Sequence, residues 1–590
     1  MQHFLPHAKL SNKFPLSRLI LSSRGLCLGS AHPSRSILDF SRSSRQWPLS
    51  QRALSSPSKY PDDLFNYNSG RWLVNDKLRL AERRREFEVE ELCQLAAQSV
   101  GRKSQDINRF EKLAEGGFNR TFLITMHDGF KMVARIPYPI TVPKFYAVAS
   151  EVSTMDFLRF SGLPIPEIYG YSPSADNAAK TEYIFMEFVK GTRLTDVWMA
   201  GEIPDVLSSL RQIVELESRI MSVRFPAGGS LYYTKDIEEM GGNNGVTLED
   251  ERFSVGPDAR IQMWSGRRSQ LDVDRGPYRS PEVALVAAAV KERVYLEHFA
   301  QPVLPFRRER RQSYDFEKQS PADHIENLDR YLRIAPLLMP QNPVLHHFRM
   351  RHPDLHPSNV IVSRSEKSNE LIITGLLDWQ HASILPLFLS AEMPERFQNY
   401  DDPISQALIP PLLPENIQEL DKSELTHALT LYIKRLPHFH YIKNMEKHNK
   451  LHYEAFSDPL SMFIGRLCHQ AGVPWQGETH DLKAALTEAT ERWEELTGGG
   501  VPCPIACEPE DLHKTKELGE KLRIADEDFE AYQNMISFGA QTWVANEDYG
   551  KGKKMAELLK LQTMMQLPKE MQDNFEANWF CDDMDETPYM

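Results

Sequence analysis

Cysteine is scarce, six in 590 residues, too few for a disulfide-stapled scaffold. No stretch reaches the roughly 18 uninterrupted apolar residues that a membrane-crossing helix needs. The longest apolar runs, Val283 to Val290 and Ile384 to Leu389, fall well short. Positive charge is in deficit, with 69 Lys and Arg against 82 Asp and Glu, a net −13. That is the wrong sign for a chain whose main task is gripping a nucleic-acid backbone or an anionic membrane, so neither a nucleic-acid partner nor a membrane span is expected. Internal repeats are absent, and no low-complexity tract follows the amino terminus. Hydrophobic and charged fractions of 41% and 26% exclude wholesale disorder and fibrous classes. The length suits several domains, or one large two-part domain with extensions.

The first 54 residues have a different composition. Lys9, Lys13, Arg18, Arg24, Arg35, Arg42, Arg45 and Arg52 face a single acid, Asp39, among abundant serines. Arg52-Ala53-Leu54-Ser55-Ser56 resembles a matrix-peptidase site, so residues 1–54 are expected to be a mitochondrial transit peptide, with the mature protein in the matrix. The alternative is a basic, serine-rich tail on a cytosolic or nuclear protein.

Beyond it, 55–105 is expected to be an extension carrying one charged helix over Ala81–Val100, with Phe87, Leu92, Leu95 and Ala96 on its apolar side. Phe110–Leu113, Thr121–Met126 and Phe130–Ile136 read as strands, the last two joined by a hairpin turn at His127-Asp128-Gly129. Lys144 to Phe160 carries helical spacing and stops near Gly162, and Tyr183–Val189 is a further strand. From Arg193 onward the pattern is mainly helical, with short apolar runs at Val360–Val362 and Leu371–Leu377. The fold class is therefore α+β: a small antiparallel sheet with one helix (106–190), then a large helical part (191–500) with an aperiodic insert at 227–279, and a helical extension at 501–590. In the insert, Trp264, Arg267, Arg268, Asp274 and Arg275 are expected to stabilise a loop, the alternative being contact with a ligand. Phe306–Arg311 and the acidic Asp582–Glu586 read as solvated. Met564, Met565 and Leu567 read as core, and Cys503 and Cys507 as structural.

The chemistry concentrates in Arg351-His352-Pro353-Asp354-Leu355-His356-Pro357-Ser358-Asn359, followed by Leu376-Leu377-Asp378-Trp379. Phosphoryl transfer asks for a carboxylate at the acceptor hydroxyl and oxygen ligands that hold Mg²⁺ against the phosphates. In the kinase catalytic loop the base precedes the metal-binding Asn by five positions, the spacing of Asp354 and Asn359. Asp378 then ends an apolar strand, where its carboxylate can face the same cleft. Hard oxygen ligands without Cys or His suit Mg²⁺.

These segments resemble the catalytic signature of the aminoglycoside phosphotransferase-like family, relatives of choline kinase and distant relatives of protein kinases, in a fungal mitochondrial branch. The resemblance implies a two-lobed, protein kinase-like fold, with ATP and Mg²⁺ as cofactors and a small hydroxylated molecule as acceptor. Asp354 would be the catalytic base, Asn359 and Asp378 the metal ligands, and His352 and His356 loop-shaping residues. Gly116, Gly117, Phe118 and Asn119 would approach the phosphates, and the segment Glu187, Phe188 and Val189 would meet the adenine. One position departs: Arg135 stands where kinases carry a lysine, with Glu151 as its expected partner. Two readings follow, an active phosphotransferase with an altered phosphate clamp, or a silent pseudokinase acting as a scaffold. No activation segment follows Asp378, which favours a small acceptor over a protein. An aspartate-bearing stretch typical of antibiotic kinases is missing as well.

Overall fold

The computed structural model describes residues 62–200, 202–241 and 245–590; the expected transit peptide, 1–54, lies outside the described residues. The alternating apolar pattern forms strands Ile107–Glu115, Asn119–Met126 and Lys131–Pro137. Tyr183–Glu187 pairs with the third of these and Ile168–Ser172 takes the edge, giving a five-stranded antiparallel sheet. Of the two strands expected after the helix, the edge strand is the one that the sequence does not place, because Pro164 and Pro166 lie just ahead of it and Gly170 inside.

Both faces of this sheet are covered, so alternate residues enter two different cores. Val133, Ile184 and Met186 join Val148, Val152 and Met155 of the helix Tyr146–Phe160. Met132, Ala134 and Phe185 join Phe122, Ile124 and, from the helix Val89–Ser99, Leu92 and Ala96. The single helix expected over 81–100 is instead two, Asp76–Arg83 and Val89–Ser99. The chain is extended at Arg84 and Glu88, and Phe87 packs edge-on against Phe65, Phe110 and Phe122. Burying that ring outweighs continuing the helix. The segment before residue 106 is thus part of the sheet's own core.

From Glu187 the chain passes Gly191, whose φ is +151°. A Cβ there would lie 2.6 Å from both Ile361 Cγ2 and the Val362 carbonyl oxygen, so only glycine allows this approach. Thr192–Arg193 then adds to Val360–Arg364, which forms an antiparallel hairpin with Leu371–Leu376. Around it pack long helices, among them Ile203–Ser222, Pro281–Phe299, Lys422–His448 and Ser461–Gly472.

The aperiodic insert folds into three short strands, in the order Ser230–Tyr233, Phe253–Gly256, Val246–Thr247. It lies against the helix Tyr146–Phe160, where Ser153 Oγ donates to the Leu231 carbonyl over 2.8 Å. Side-chain bonds replace periodicity: Arg275 stacks 4.1 Å over Trp264 and donates to the carbonyls of Met263 and Leu271, and fully buried Arg268 grips Glu292 through two nitrogens.

Three surface expectations are corrected. Arg308, Arg310 and Arg311 are buried. Arg310 pairs with Asp526 and Glu478, Arg308 donates to the carbonyls of Phe580 and Asp582, and Arg311 donates to Asn578 and Tyr589. In the acidic ending Asp582, Asp583 and Asp585 are exposed as expected, but Glu586 is only 4% exposed and lies 2.5 Å from Arg79. Each group is buried because its counter-charge or carbonyl partner comes from a distant part of the chain. Met565, expected in the core, is 80% exposed. The helix Asn546–Gln566 packs through its small residues Gly552 and Ala556, which turns Met565 to the opposite face.

Candidate active site

The segment that carries Asp354 runs from the strand Phe348–Met350 to the turn Pro357–Asn359, and its side chains tie it to itself. The Asp354 N–H donates to His352 Nδ1 (3.1 Å), so Nε2 carries the proton and donates to the Leu377 carbonyl (2.9 Å). In the same way the Ser358 N–H donates to His356 Nδ1 (3.2 Å), leaving the Nε2 proton to reach Asp354 Oδ2 (3.1 Å). Asn359 Nδ2 donates to the Asp354 carbonyl (2.9 Å). His352 thus joins the loop to the residue before Asp378, and burial holds its pKa below the usual imidazole range. Asp354 keeps its carboxylate 58% exposed, oriented from one side by His356 and open on the other.

Asn359 and Asp378 sit at the same end of the hairpin. Val360 pairs with Leu376, and the Leu377 N–H donates to the Asn359 carbonyl over 2.8 Å. Asp378 leaves the strand with φ +66°, which turns its side chain out of the ladder. Its Oδ1 accepts from Arg135 over 2.5 Å. Burial raises the Asp378 pKa, but the Arg135 charge outweighs it and the net shift is downward. Arg135 also donates to Glu151 (2.6 Å) and Gln380 (3.2 Å). The expected Arg135–Glu151 pair therefore has a third member in the metal-ligand candidate itself. Glu151 is buried; desolvation pushes its carboxyl up to about 7 against the pull of Arg135.

The loop Gly116-Gly117-Phe118 closes over this network. The Gly116 N–H donates to the Asn119 carbonyl (2.8 Å), Phe118 packs edge-on against His381 with ring centroids 5.6 Å apart, and Asn119 Nδ2 donates to Gln380 Oε1 (2.5 Å). Gln380 therefore accepts from both Arg135 and the glycine loop. Sequence reading missed it, although it lies two residues beyond a singled-out aspartate. The connector residues are placed apart from this cluster. The Glu187 carboxylate meets Arg159 and the Glu167 N–H, Lys131 lies 5.5 Å from the Phe188 ring centre, and Val189 packs on Gly375 of the hairpin.

Among the described residues no three His, Cys, Asp or Glu side chains are gathered to hold a metal. The donor set is of another kind, an amide oxygen and a carboxylate. With Nδ2 of Asn359 spent on the Asp354 carbonyl, its side-chain oxygen is the free acceptor, and Asp378 has a second oxygen beside the one given to Arg135. Two hard oxygens at one strand end fit Mg²⁺, which completes its shell with water and phosphate.

Comparison with known proteins assigns this region. Residues 109–388 match the model of the phosphotransferase enzyme family. Over that segment the chain is similar to the phosphotransferase enzyme family. It holds Gly116 and Gly117, Arg135, Glu151, residues 187–189 and the hairpin of Val360–Arg364 with Leu371–Leu376. A subtelomeric hrmA-associated cluster protein of Aspergillus fumigatus is 28% identical over 507 residues, covering 79% of this chain and 95% of the relative. Altered inheritance of mitochondria protein 9, mitochondrial, of Yarrowia lipolytica is 27% identical over 357 residues, covering 56% and 60%. Among solved structures, a putative fructosamine-3-kinase from Thermobifida fusca aligns with 12% identity and TM-score 0.32, over 74% of this chain and 99% of that one.

Proposed function

We propose that the chain is a two-lobed, kinase-like phosphotransferase that moves the γ-phosphate of ATP to a hydroxyl of a small molecule. The carrying observation is the convergence of Asp354, Asn359 and Asp378 at the open end of one hairpin, with Asp354 exposed and oriented by His356. In this reading the sheet with its helix is one lobe, the helical part the other, and Glu187 to Val189 the connector along the adenine. Asp354 Oδ2 accepts the acceptor's hydroxyl proton or orients that hydroxyl for in-line attack. Asn359 and Asp378 hold Mg²⁺, which when bound would neutralise charge on the phosphates. Gly116 and Gly117 offer backbone N–H groups to the same phosphates. The names of the mitochondrial relatives, with the basic leader, support a mitochondrial location. The test is ATP turnover over a panel of hydroxylated metabolites, with Asp354→Ala beside the wild type; equal rates from both proteins overturn the reading.

One observation favours a second reading. Arg135 occupies an oxygen of Asp378, and Asn119 bonds Gln380 across the glycine loop, an arrangement that also suits a silent pseudokinase whose cation is built in. Calorimetry separates the two: Mg²⁺-dependent nucleotide binding belongs to the enzyme, and binding indifferent to Mg²⁺, or none, to the pseudokinase.

A further inference from the structure

The root of the glycine loop is held from outside the matched family segment. Glu115 and Arg120 flank the loop, face each other across the strand pair and are bonded, Arg120 Nε to Glu115 Oε1 over 3.1 Å. Both side chains are 1% exposed. Glu115 Oε2 accepts from the Asn68 N–H, the Ser69 N–H and the Ser69 hydroxyl, each at 2.8 Å, while Lys112 lies 3.0 Å from Oε1. These five contacts fill a carboxylate's acceptor sites. Burial raises the Glu115 pKa, but these donors more than offset it and the net shift is downward. Arg120 donates its other two nitrogens to the carbonyls of Leu64 (3.0 Å) and Arg83 (3.3 Å). Every group on the far side of the clamp lies in residues 64–83, apart from Lys112.

That segment is in turn seated on the carboxyl-terminal extension. Gly70–Trp72 pairs antiparallel with Trp543–Ala545. A Cβ on Gly70 would lie 2.4 Å from the Trp543 ring, so the pairing requires glycine. Asn546 Nδ2 donates to the Asn68 carbonyl, on the residue whose N–H holds Glu115. Lys553 donates to the Leu73 carbonyl (2.6 Å), and Arg79 pairs with Glu586. The same extension is anchored to the helical part by Arg308, Arg310 and Arg311.

We infer that the two terminal extensions form one strap that presets the glycine loop, with Glu115 and Arg120 as positioning residues acting through it. The strap ties the loop's base in the sheet to the helical part around residues 308–311, so the loop's position depends on contacts made by residues 543–586. The functional side of this inference rests on the proposed nucleotide site.

The test uses the full chain and a distant, mild change, Asn546→Ala, which removes one side-chain bond to the Asn68 carbonyl. Hydrogen exchange at residues 114–121 is measured first, and it needs no activity. Exchange there should rise about fivefold, the change that losing one ordinary hydrogen bond produces, and Asn546→Gln should restore it. With nucleotide, the half-saturating ATP concentration should rise by a similar factor at unchanged kcat. Glu586→Gln, at the opposite end of the strap, should act in the same direction. Exchange at 114–121 equal to wild type in both variants overturns the strap. A wild type that binds no nucleotide, with exchange responding as expected, overturns the functional reading and leaves the strap standing.

Discussion

Replacing Arg135 by lysine isolates the role of its guanidinium, which spans two carboxylates, Glu151 at 2.6 Å and Asp378 at 2.5 Å. A lysine ammonium is a point charge without the planar fork and cannot hold both in this geometry. Glu151 has the stronger claim. Its side chain is 3% exposed while that of Asp378 is 42% exposed, and an unpaired buried carboxylate costs more than a hydrated one. The lysine should stay with Glu151 and release Asp378. A charge-assisted hydrogen bond contributes about 1.5–3 kcal/mol, so freeing Asp378 Oδ1 should strengthen Mg²⁺ binding about tenfold or more. Titrating Mg²⁺ at fixed ADP by calorimetry reads this directly as a midpoint moved to lower concentration. A midpoint that stays put, or moves up, would refute the competition between Arg135 and the cation. The companion change Arg135→Ala leaves the buried Glu151, whose carboxyl already stands at about 7 with the guanidinium in place, to take up a proton at neutral pH; losing the charge-assisted bond should destabilise the protein by about 1.5–3 kcal/mol, seen as an earlier denaturant midpoint.

Asp354→Asn should lower turnover by about 10²–10⁴-fold while the melting temperature stays within error, because the carboxylate is 58% exposed; a large drop in melting temperature would make the residue structural. Glu292 accepts from Arg268 (2.7 and 2.5 Å), Lys291 (2.8 Å) and the Trp475 N–H (2.7 Å) with no exposure. Glu292→Gln should therefore cost about 3–5 kcal/mol by leaving two buried cations under-compensated, and a denaturation curve overlapping that of wild type would contradict this. Burial lowers His324 to about 4 and His452 to about 3, against the ordinary 6.5. The unfolded chain binds these protons first as pH falls, so their stabilisation is complete above pH 6.5 and declines below it, by about 2 kcal/mol per histidine at pH 5. His324→Asn should flatten the loss of stability between pH 7 and 5, and an unchanged slope there would exclude His324 as a contributor.

What was legible in the sequence is what depends on neighbours. The strands at 107–137 follow from alternation, and the spacing of Asp354 to Asn359 with Asp378 at a strand end pointed to the hairpin whose one end carries Asn359 and Asp378. The same local logic failed where a partner lay far away. Phe87 looked helical because its spacing fits, yet Phe65 and Phe110 draw it into another core. Arg310 looked solvated because its neighbours are also basic, but Asp526 waits 216 residues on. Arg135 was marked by its departure from lysine, and its pairing with Glu151 followed from helix placement. Its bond to Asp378 did not, because it depends on how the hairpin approaches the sheet.

The misread segments share a cause. A cluster of like charges reads as solvated because its self-repulsion is visible in sequence and its compensation is not. Residues 306–311 and 582–586 are such clusters of opposite sign, and each has members buried through contacts with a remote part of the chain, Arg308, Arg310 and Arg311 in the first and Glu586 in the second. Burial of a charge is costly unless partners are fixed in place, so these clusters bind their segments tightly to one geometry instead of merely covering surface. That geometry carries Asn68 and Ser69 to Glu115 and the carbonyls of Leu64 and Arg83 to Arg120. The least readable parts of the sequence are therefore the ones that fix the base of its glycine loop. A variant that neutralises one member of a cluster should act at that loop before it acts on the rest of the fold.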